Sequence, residues 1–244
     1  MKTRQIMKTT LLITLAIFLG GINACAQDKN KESDDPQTLD KSPIYWLYDA
    51  HYRMAIQYND YAEAKSALYN LVLLEPQNDS LRFNLAYLYY DAGKYPSAIM
   101  ACRDILAANP DNLGALELSG AAYENLGLKD KALTSYEKLY MASSDINTLY
   151  KMAFLQYDLK KYNESNVNAD IILENEKLDD TKLVFPVGKN ETKEFPMKVA
   201  VLNLKGLINQ ELGNIDVARK AFQDALTLSP DFEQAKTNLE ALDK

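Results

Sequence analysis

The sequence predicts an all-α fold, a solenoid of about five helix-turn-helix repeats with a C-terminal capping helix and one short β-hairpin insertion. Three observations support this prediction. Apolar residues recur at helical spacing beyond Pro43. Matching residues return after 34 positions, as Pro76 and Pro110 or Gly93 and Gly127 do. Each repeat also has two amphipathic stretches that meet near a glycine and are closed by a proline.

Residues 1–26 have the order of a signal peptide: cationic residues, an apolar run from Leu11 to Leu19, and then small residues. The apolar run is shorter than the ~20 residues that a membrane-spanning helix needs. Two cleavage sites fit. Cleavage before Cys25 would leave a lipidated cysteine that anchors the protein to a membrane, whereas cleavage after Ala26 would release a soluble protein. We expect export to the periplasm or cell envelope, with both routes open.

Residues 27–42 are polar and charged without apolar periodicity, so we expect a flexible linker there. Removal of residues 1–24 takes away Lys2, Arg4 and Lys8 and no acid, which moves the formal net charge from −7 to −10. An acidic chain repels phosphate backbones, and the sequence therefore argues against a nucleic-acid partner.

The repeats are expected to begin near five residues, which are Tyr45, Asp79, Leu113, Ile146 and Val199. Small residues mark the places where two helices must cross closely. They are Ala86, Gly120 and Gly206 in the first helices, and Ala64, Ala98, Ala132 and Ala218 in the second helices. Large residues such as Tyr136 and Phe222 should fill the space around them. Gly93, Gly127 and Gly213 suit the left-handed residue that ends a first helix.

This pattern resembles the tetratricopeptide repeat (TPR). The segments LAYLYYDAGKYPSAIMACRDILAANP and KGLINQELGNIDVARKAFQDALTLSP carry the resemblance. It implies a TPR-type solenoid over residues 43–242, with a capping helix at 232–242 and a protein-binding groove lined by the first helices. The first and fourth repeats depart from the pattern. Tyr52 replaces a small residue in the first, and Ser165 and Ala169 replace an alanine and an aromatic residue in the fourth.

An insertion at residues 177–197 separates the fourth and fifth repeats. It contains Phe-Pro twice, on either side of Gly188-Lys189-Asn190, which predicts a short β-hairpin. Two interpretations stay open. The insertion either joins two helices as a surface excursion or forms a specific loop for partner binding or dimerisation.

Aromatic residues predict where a partner would bind in the groove that the resemblance implies. In the second repeat the groove-facing positions hold Phe83, Tyr87 and Tyr90, and the fourth repeat repeats the pattern with Tyr150, Phe154 and Tyr157. Tyrosine combines a rigid apolar body with a polar tip, which suits protein interfaces. The alternative is that several of these rings only cover neighbouring helices.

The sequence offers no reactive group that would make the chain an enzyme. His51 is the only histidine and Cys102 the only cysteine beyond the signal peptide, so we expect no metal site, no cofactor and no intrachain disulfide. Ser80 follows Asp79 and precedes Leu81, as in an acceptor for O-glycosylation in Bacteroidota. The same residues also suit the capping of a helix, which needs no sugar.

The sequence therefore predicts a non-catalytic adaptor or scaffold in the bacterial cell envelope that binds a protein or peptide partner. The alternative is an accessory subunit that positions substrate for an envelope enzyme complex.

Overall fold

A computed structural model describes residues 41–178, 180–187 and 191–243. The predicted signal peptide, Cys25 and most of the predicted linker lie outside the described residues. The α-helices are α1 Pro43–Gln57, α2 Tyr61–Leu74, α3 Asp79–Asp91, α4 Tyr95–Ala108, α5 Leu113–Asn125, α6 Lys129–Ser143, α7 Ile146–Asp158, α8 Tyr162–Leu173, α9 Met197–Glu211, α10 Ile215–Leu228 and α11 Glu233–Ala241. A 3₁₀ turn, Glu176–Leu178, and the strands β1 Lys182–Pro186 and β2 Thr192–Pro196 separate α8 from α9. The predicted all-α solenoid with a hairpin insertion is confirmed.

The helices pack as antiparallel pairs, and each pair packs on the next along the chain. The first helices of the second, third and fourth repeats begin at the predicted residues. Those of the first and fifth repeats begin two residues earlier, at Pro43 and Met197. A proline is favoured at the start of a helix because the first N–H groups have no helical partner. This preference explains why α1 includes Pro43.

Polar side chains cap the first helix of four repeats. Ser42, Asn78, Asn112 and Asp145 accept hydrogen bonds from backbone N–H groups in the first turns of α1, α3, α5 and α7. The cap of α3 is thus Asn78, and neither Asp79 nor Ser80 as the sequence suggested. The side-chain oxygen of Asn78 accepts from the Ser80 nitrogen at 3.1 Å and so satisfies a free N–H group of the first turn. Ser80 is exposed, and its glycosylation stays a prediction.

Close helix crossings occur where the sequence has small residues. A Cβ atom at Gly120 would lie 2.8 Å from the Tyr136 ring, and one at Gly206 would lie 2.3 Å from the Phe222 ring. Both rings are fully buried. Each ring therefore occupies the volume that a side chain on the facing helix would need. The predicted roles of these two glycines and two rings are confirmed.

The two irregular repeats keep the same backbone with other residues. Gly93, Gly127 and Gly213 have positive φ, and Asn59 and Lys160 have positive φ at the corresponding places in the first and fourth repeats. In the fourth repeat the buried Ser165 hydroxyl donates to the Ala153 carbonyl oxygen at 2.7 Å. This hydrogen bond satisfies the hydroxyl where the other repeats have alanine.

The insertion is an antiparallel hairpin that packs against the C-terminal end of the solenoid. Its two phenylalanines form a cluster with Phe232, which lies between α10 and α11. Ring centroids are 5.2 Å apart for Phe185 and Phe232, 5.0 Å for Phe195 and Phe232, and 6.1 Å for Phe185 and Phe195. Lys193 also forms an ion pair with Asp231. The two phenylalanines thus attach the hairpin to the fold, with Phe195 buried and Phe185 partly buried, and a role of the insertion in partner binding stays a prediction.

Candidate protein-binding groove

The first helices lie side by side along one face of the array. Helix α3 contacts α5, α7 contacts α9, and α9 contacts α11. Within the described residues, no two second helices approach each other as closely. Several first helices are therefore closer to one another than the second helices are, and we call the surface to which α1, α3, α5, α7 and α9 contribute the groove.

Three aromatic residues of α3 are predicted to line the groove. Phe83, Tyr87 and Tyr90 are each partly buried and pack on a cluster that includes Ala86 and Ala115. The Phe83 ring lies against Gly114 of α5, where a Cβ atom would be only 2.9 Å away. These rings combine a packed side with an accessible side, as a preformed binding surface requires.

In α7 the arrangement differs from the prediction for one residue of three. The core contains a large cluster of buried side chains that extends from α5 to α9, which we call the central core cluster. Phe154 and Tyr157 are partly buried and pack against it. Tyr150 is only 8% exposed and belongs to that cluster, with its ring centroid 4.8 Å from that of Phe154. Its burial raises the pKa of its phenol far above the ordinary value. The buried Tyr150 ring therefore packs against Phe154 and is not accessible to a partner.

The rings of Tyr90 and Tyr157 each pack against a second tyrosine ring. The Tyr90 ring lies edge-on to Tyr95, with centroids 5.4 Å apart, and the Tyr157 ring is tilted against Tyr162, with centroids 5.7 Å apart. Each pair also reaches the next first helix. Asn125 of α5 donates to the Tyr90 hydroxyl at 3.0 Å, and the Tyr162 hydroxyl donates to Glu211 of α9 at 3.2 Å.

The hydroxyls of Tyr90 and Tyr157 stay protonated near neutral pH. Burial raises the pKa of Tyr90, and it raises the pKa of Tyr157 to about 12 with a further contribution from the Glu211 charge. The sequence analysis missed Tyr95 and Tyr162, although they occupy corresponding positions at the start of α4 and α8. A tyrosine at the same position of two repeats was the sequence signal that could have identified them.

Helix α5 comes between α3 and α7 in the array. We call the aromatic residues of α3 and those of α7 the two aromatic patches. Helix α5 contributes the small residues Gly114 and Ala121 and two carboxylates. Glu117 forms an ion pair with Lys151 at 3.4 Å, and Glu124 accepts a hydrogen bond from the buried Tyr136 hydroxyl at 2.6 Å. The groove therefore has aromatic rings on α3, carboxylates on α5 and aromatic rings on α7. The two predicted triads belong to different first helices, and their part in partner binding stays a prediction.

The sequence analysis considered His51 and Cys102 as possible reactive groups, and the structure shows the surroundings of both. His51 lies 3.4 Å from Glu63, and Cys102 is fully buried, which raises the pKa of its thiol to about 12. Over residues 41–178, 180–187 and 191–243, no group of three His, Cys, Asp or Glu side chains is placed to hold a metal ion. No helix in the same ranges has the length and apolar character needed to cross a membrane.

The fold and this groove define the chain as a helical-repeat protein. Models of the tetratricopeptide repeat match residues 55–115, 113–145 and 199–232, which together make up about half of the chain. The chain belongs to the tetratricopeptide repeat family. Proteins of this family are interaction scaffolds. A comparison with curated proteins gave no match.

Solved structures share the fold at low sequence identity. A TPR protein from Parabacteroides merdae is 21% identical with a TM-score of 0.61, over 81% of this chain and 72% of that one. A MamA protein is 16% identical with a TM-score of 0.60, over 76% and 92% of the two chains. MamA from Desulfovibrio magneticus is 14% identical with a TM-score of 0.59, over 78% and 98%. These identities show the fold alone.

Proposed function

We propose that this protein is a non-catalytic adaptor of the bacterial cell envelope that holds an extended segment of a partner protein in its groove. The observation that carries the proposal is the pair of aromatic patches on α3 and α7, with carboxylates between them on α5. Apolar or aromatic side chains of the bound segment would contact Phe83 and Tyr87 at one end and Phe154 and Tyr157 at the other.

Two features favour binding by these rings. Tyr95 and Tyr162 pack against Tyr90 and Tyr157, and Tyr150 packs against Phe154, so these rings lose little side-chain entropy on association. Their hydroxyl tips and the carboxylates of Glu117 and Glu124 can bond to the backbone N–H groups and basic side chains of a peptide. We therefore expect the bound segment to have apolar residues at both ends and polar or basic residues between them.

Site-specific photo-crosslinking in cells tests this proposal. A photoreactive phenylalanine analogue at Tyr87 or at Phe154 should crosslink to the same partner, and mass spectrometry of the adduct should identify one segment of it. The same analogue at Met141, which is exposed on α6, is the matched control and should not give this adduct. Different partners at the two groove positions would argue against a single bound segment.

The identified segment, made as a peptide, then measures the contribution of each ring. Tyr87→Ala and Phe154→Ala should each weaken its binding by about tenfold or more, which corresponds to about 1.4 kcal/mol. Met141→Ala should leave the affinity unchanged. Both groove side chains are partly exposed, so circular dichroism should show folded variants. Unchanged affinity in both groove variants would rule out the proposed groove.

The proposed envelope location has its own test. Cells that express the protein can be labelled with radioactive fatty acid and then fractionated. Label that disappears in the Cys25→Ala variant would support a lipid anchor. An unlabelled protein in the soluble envelope fraction would support cleavage after Ala26, and retention in the cytoplasm would refute an envelope role.

A further inference from the structure

The outer side of α1 is an apolar surface that no described residue covers. Its exposed large side chains are Ile44 at 48%, Trp46 at 41%, Leu47 at 66% and Met54 at 54%, and Tyr58 at 74% follows directly as the C-cap of the helix. We call these five residues the α1 patch. The opposite side of α1, with Tyr45 and Ala55, is buried against the solenoid. Helix α1 thus carries large apolar side chains on both sides, as a helix between two packing partners does.

The two ends of the solenoid differ in this respect. At the C-terminal end α11 covers the last helix pair, and its exposed residues Glu233, Lys236, Thr237 and Glu240 are polar. Such polar outer faces are what terminal helices of solenoids need for solubility. The N-terminal end has the apolar α1 patch in place of a polar outer face, so the exposure of this patch requires a separate explanation.

We propose that the α1 patch is a dimer interface, where two copies of this chain pair through the same surface in a two-fold arrangement. The exposed parts of the five side chains amount to about 600 Å², if a large side chain contributes about 200 Å². Two copies would then bury about 1,200 Å², the lower end of the range for stable protein interfaces. Trp46 and Tyr58 are of the types that dominate binding energy at such interfaces.

The charges favour a second copy over other occupants. The patch residues are uncharged, and the neighbouring Arg53 is already paired with Asp49 at 2.7 Å. Identical patches can therefore meet without repulsion between like charges. An anionic membrane would attract a helix rich in lysine and arginine, which α1 is not. Residues 27–40 contain one large apolar residue, Leu39, so their composition offers little apolar surface to the patch.

The polar outer side of α11 also favours a two-fold dimer over a head-to-tail assembly. A head-to-tail assembly would place the α1 patch of one copy against α11 of the next, and an apolar surface would then cover Glu233, Lys236 and Glu240. Burying these groups without partners is costly. Contact of patch with patch avoids this cost and closes after two copies.

Analytical ultracentrifugation of the mature protein over a range of concentrations tests the proposal. We expect the mass of two copies at high concentration and of one copy on dilution. Leu47→Glu should weaken pairing by about 100-fold or more, because each dimer would bury two carboxylates. Leu47 is 66% exposed, so this variant should keep its helical content. Met141→Glu, at a residue 84% exposed on α6, is the matched control and should pair normally.

Opposite charges then show whether patch meets patch. The double variants Leu47→Glu with Met54→Glu and Leu47→Lys with Met54→Lys should each remain single copies. Their mixture should regain the mass of two copies, because opposite charges face each other only if the two patches are in contact. A mixture that stays at the mass of one copy would overturn the proposal.

Three further outcomes would also overturn it. The first is a wild-type protein with the mass of one copy at every concentration. The second is growth of the mass beyond two copies, which indicates head-to-tail assembly. The third is a single-copy protein that binds phosphatidylglycerol vesicles and loses this binding in Leu47→Glu, which assigns the patch to a membrane.

Discussion

At the residue scale, the crossing of Gly206 and Phe222 shows how a repeat limits its own sequence. The Phe222 ring is fully buried, and a Cβ atom at Gly206 would lie 2.3 Å from it. Interiors are packed as densely as organic crystals, so a fully buried ring has little room in which to move. The identity of one residue on α9 is therefore fixed by a ring on α10.

We predict that Gly206→Ala lowers the melting temperature, and that Gly120→Leu does so as well. Overpacking costs about 1–3 kcal/mol, against a gain of about 1 kcal/mol when alanine replaces a helical glycine. Gly114→Ala is the control, because the Phe83 ring that it meets is partly exposed and can shift. Thermal unfolding by circular dichroism measures all three. Equal melting temperatures for Gly206→Ala and Gly114→Ala would contradict the tight crossing.

Cys102 illustrates burial at the same scale. Its thiol pKa is raised from 9.0 to about 12 by burial. Between these pH values the unfolded chain releases a proton that the folded chain keeps, so the free energy of unfolding should decrease as pH rises through this window. Maleimide should label Cys102 slowly at pH 8 and rapidly in denaturant. Peptide mass spectrometry distinguishes it from Cys25, and fast labelling of the folded protein would contradict the burial.

At the element scale, the hairpin and the last helix depend on each other. Phe195 of β2 packs against Phe232, which precedes α11, and both rings are almost fully buried. The hairpin therefore completes the hydrophobic core of the C-terminal end. A surface loop with no such contacts would be expected to be dispensable for stability.

We predict that Phe195→Ala destabilises the protein by about 3–5 kcal/mol, as is usual for the loss of a buried phenylalanine. Hydrogen exchange should increase in the hairpin and in α11 together, while α3–α6 keep their protection. Val184→Ala is the control, because Val184 lies on the exposed face of β1 and its loss should have little effect. Exchange that increases in the hairpin alone would mean that α11 is independent of it.

The sequence predicted the elements well because each leaves a local signal. The 34-residue period located the helix pairs, and the repeated Phe-Pro predicted the hairpin. The packing of the hairpin on Phe232 could not be predicted, because it joins residues distant in sequence. Tyr150 was misplaced for a similar reason. Its position in the repeat matches that of the accessible Phe83, and only the packing of α7 in the central core buries it.

At the scale of the whole molecule, the core consists of several clusters along the chain. One cluster joins α1–α3 and another joins α3–α5. A larger one extends from α5 to α9 and includes Leu178 beside the hairpin. The fourth closes the C-terminal end around Phe222 and Phe232. Each helix thus depends mainly on its neighbours in the sequence, as in other solenoids.

This arrangement predicts a gradient of local stability. Hydrogen exchange of the single-copy protein, measured on dilution, should be slowest in α5–α9, where the largest cluster lies, and fastest in α1 and α11, which have fewer neighbours. Native-state exchange followed by mass spectrometry measures the gradient. Uniform protection along the chain would indicate a single cooperative unit and contradict the prediction.

Trp46 is the only tryptophan in the chain, and it belongs to the α1 patch. Its side chain is 41% exposed, and its ring lies edge-on to that of Tyr45 with centroids 5.5 Å apart. The protein therefore carries an intrinsic fluorophore at the surface where we propose that two copies meet. Its emission should shift to shorter wavelength as water leaves that surface, so a simple dilution series would follow assembly without any attached dye.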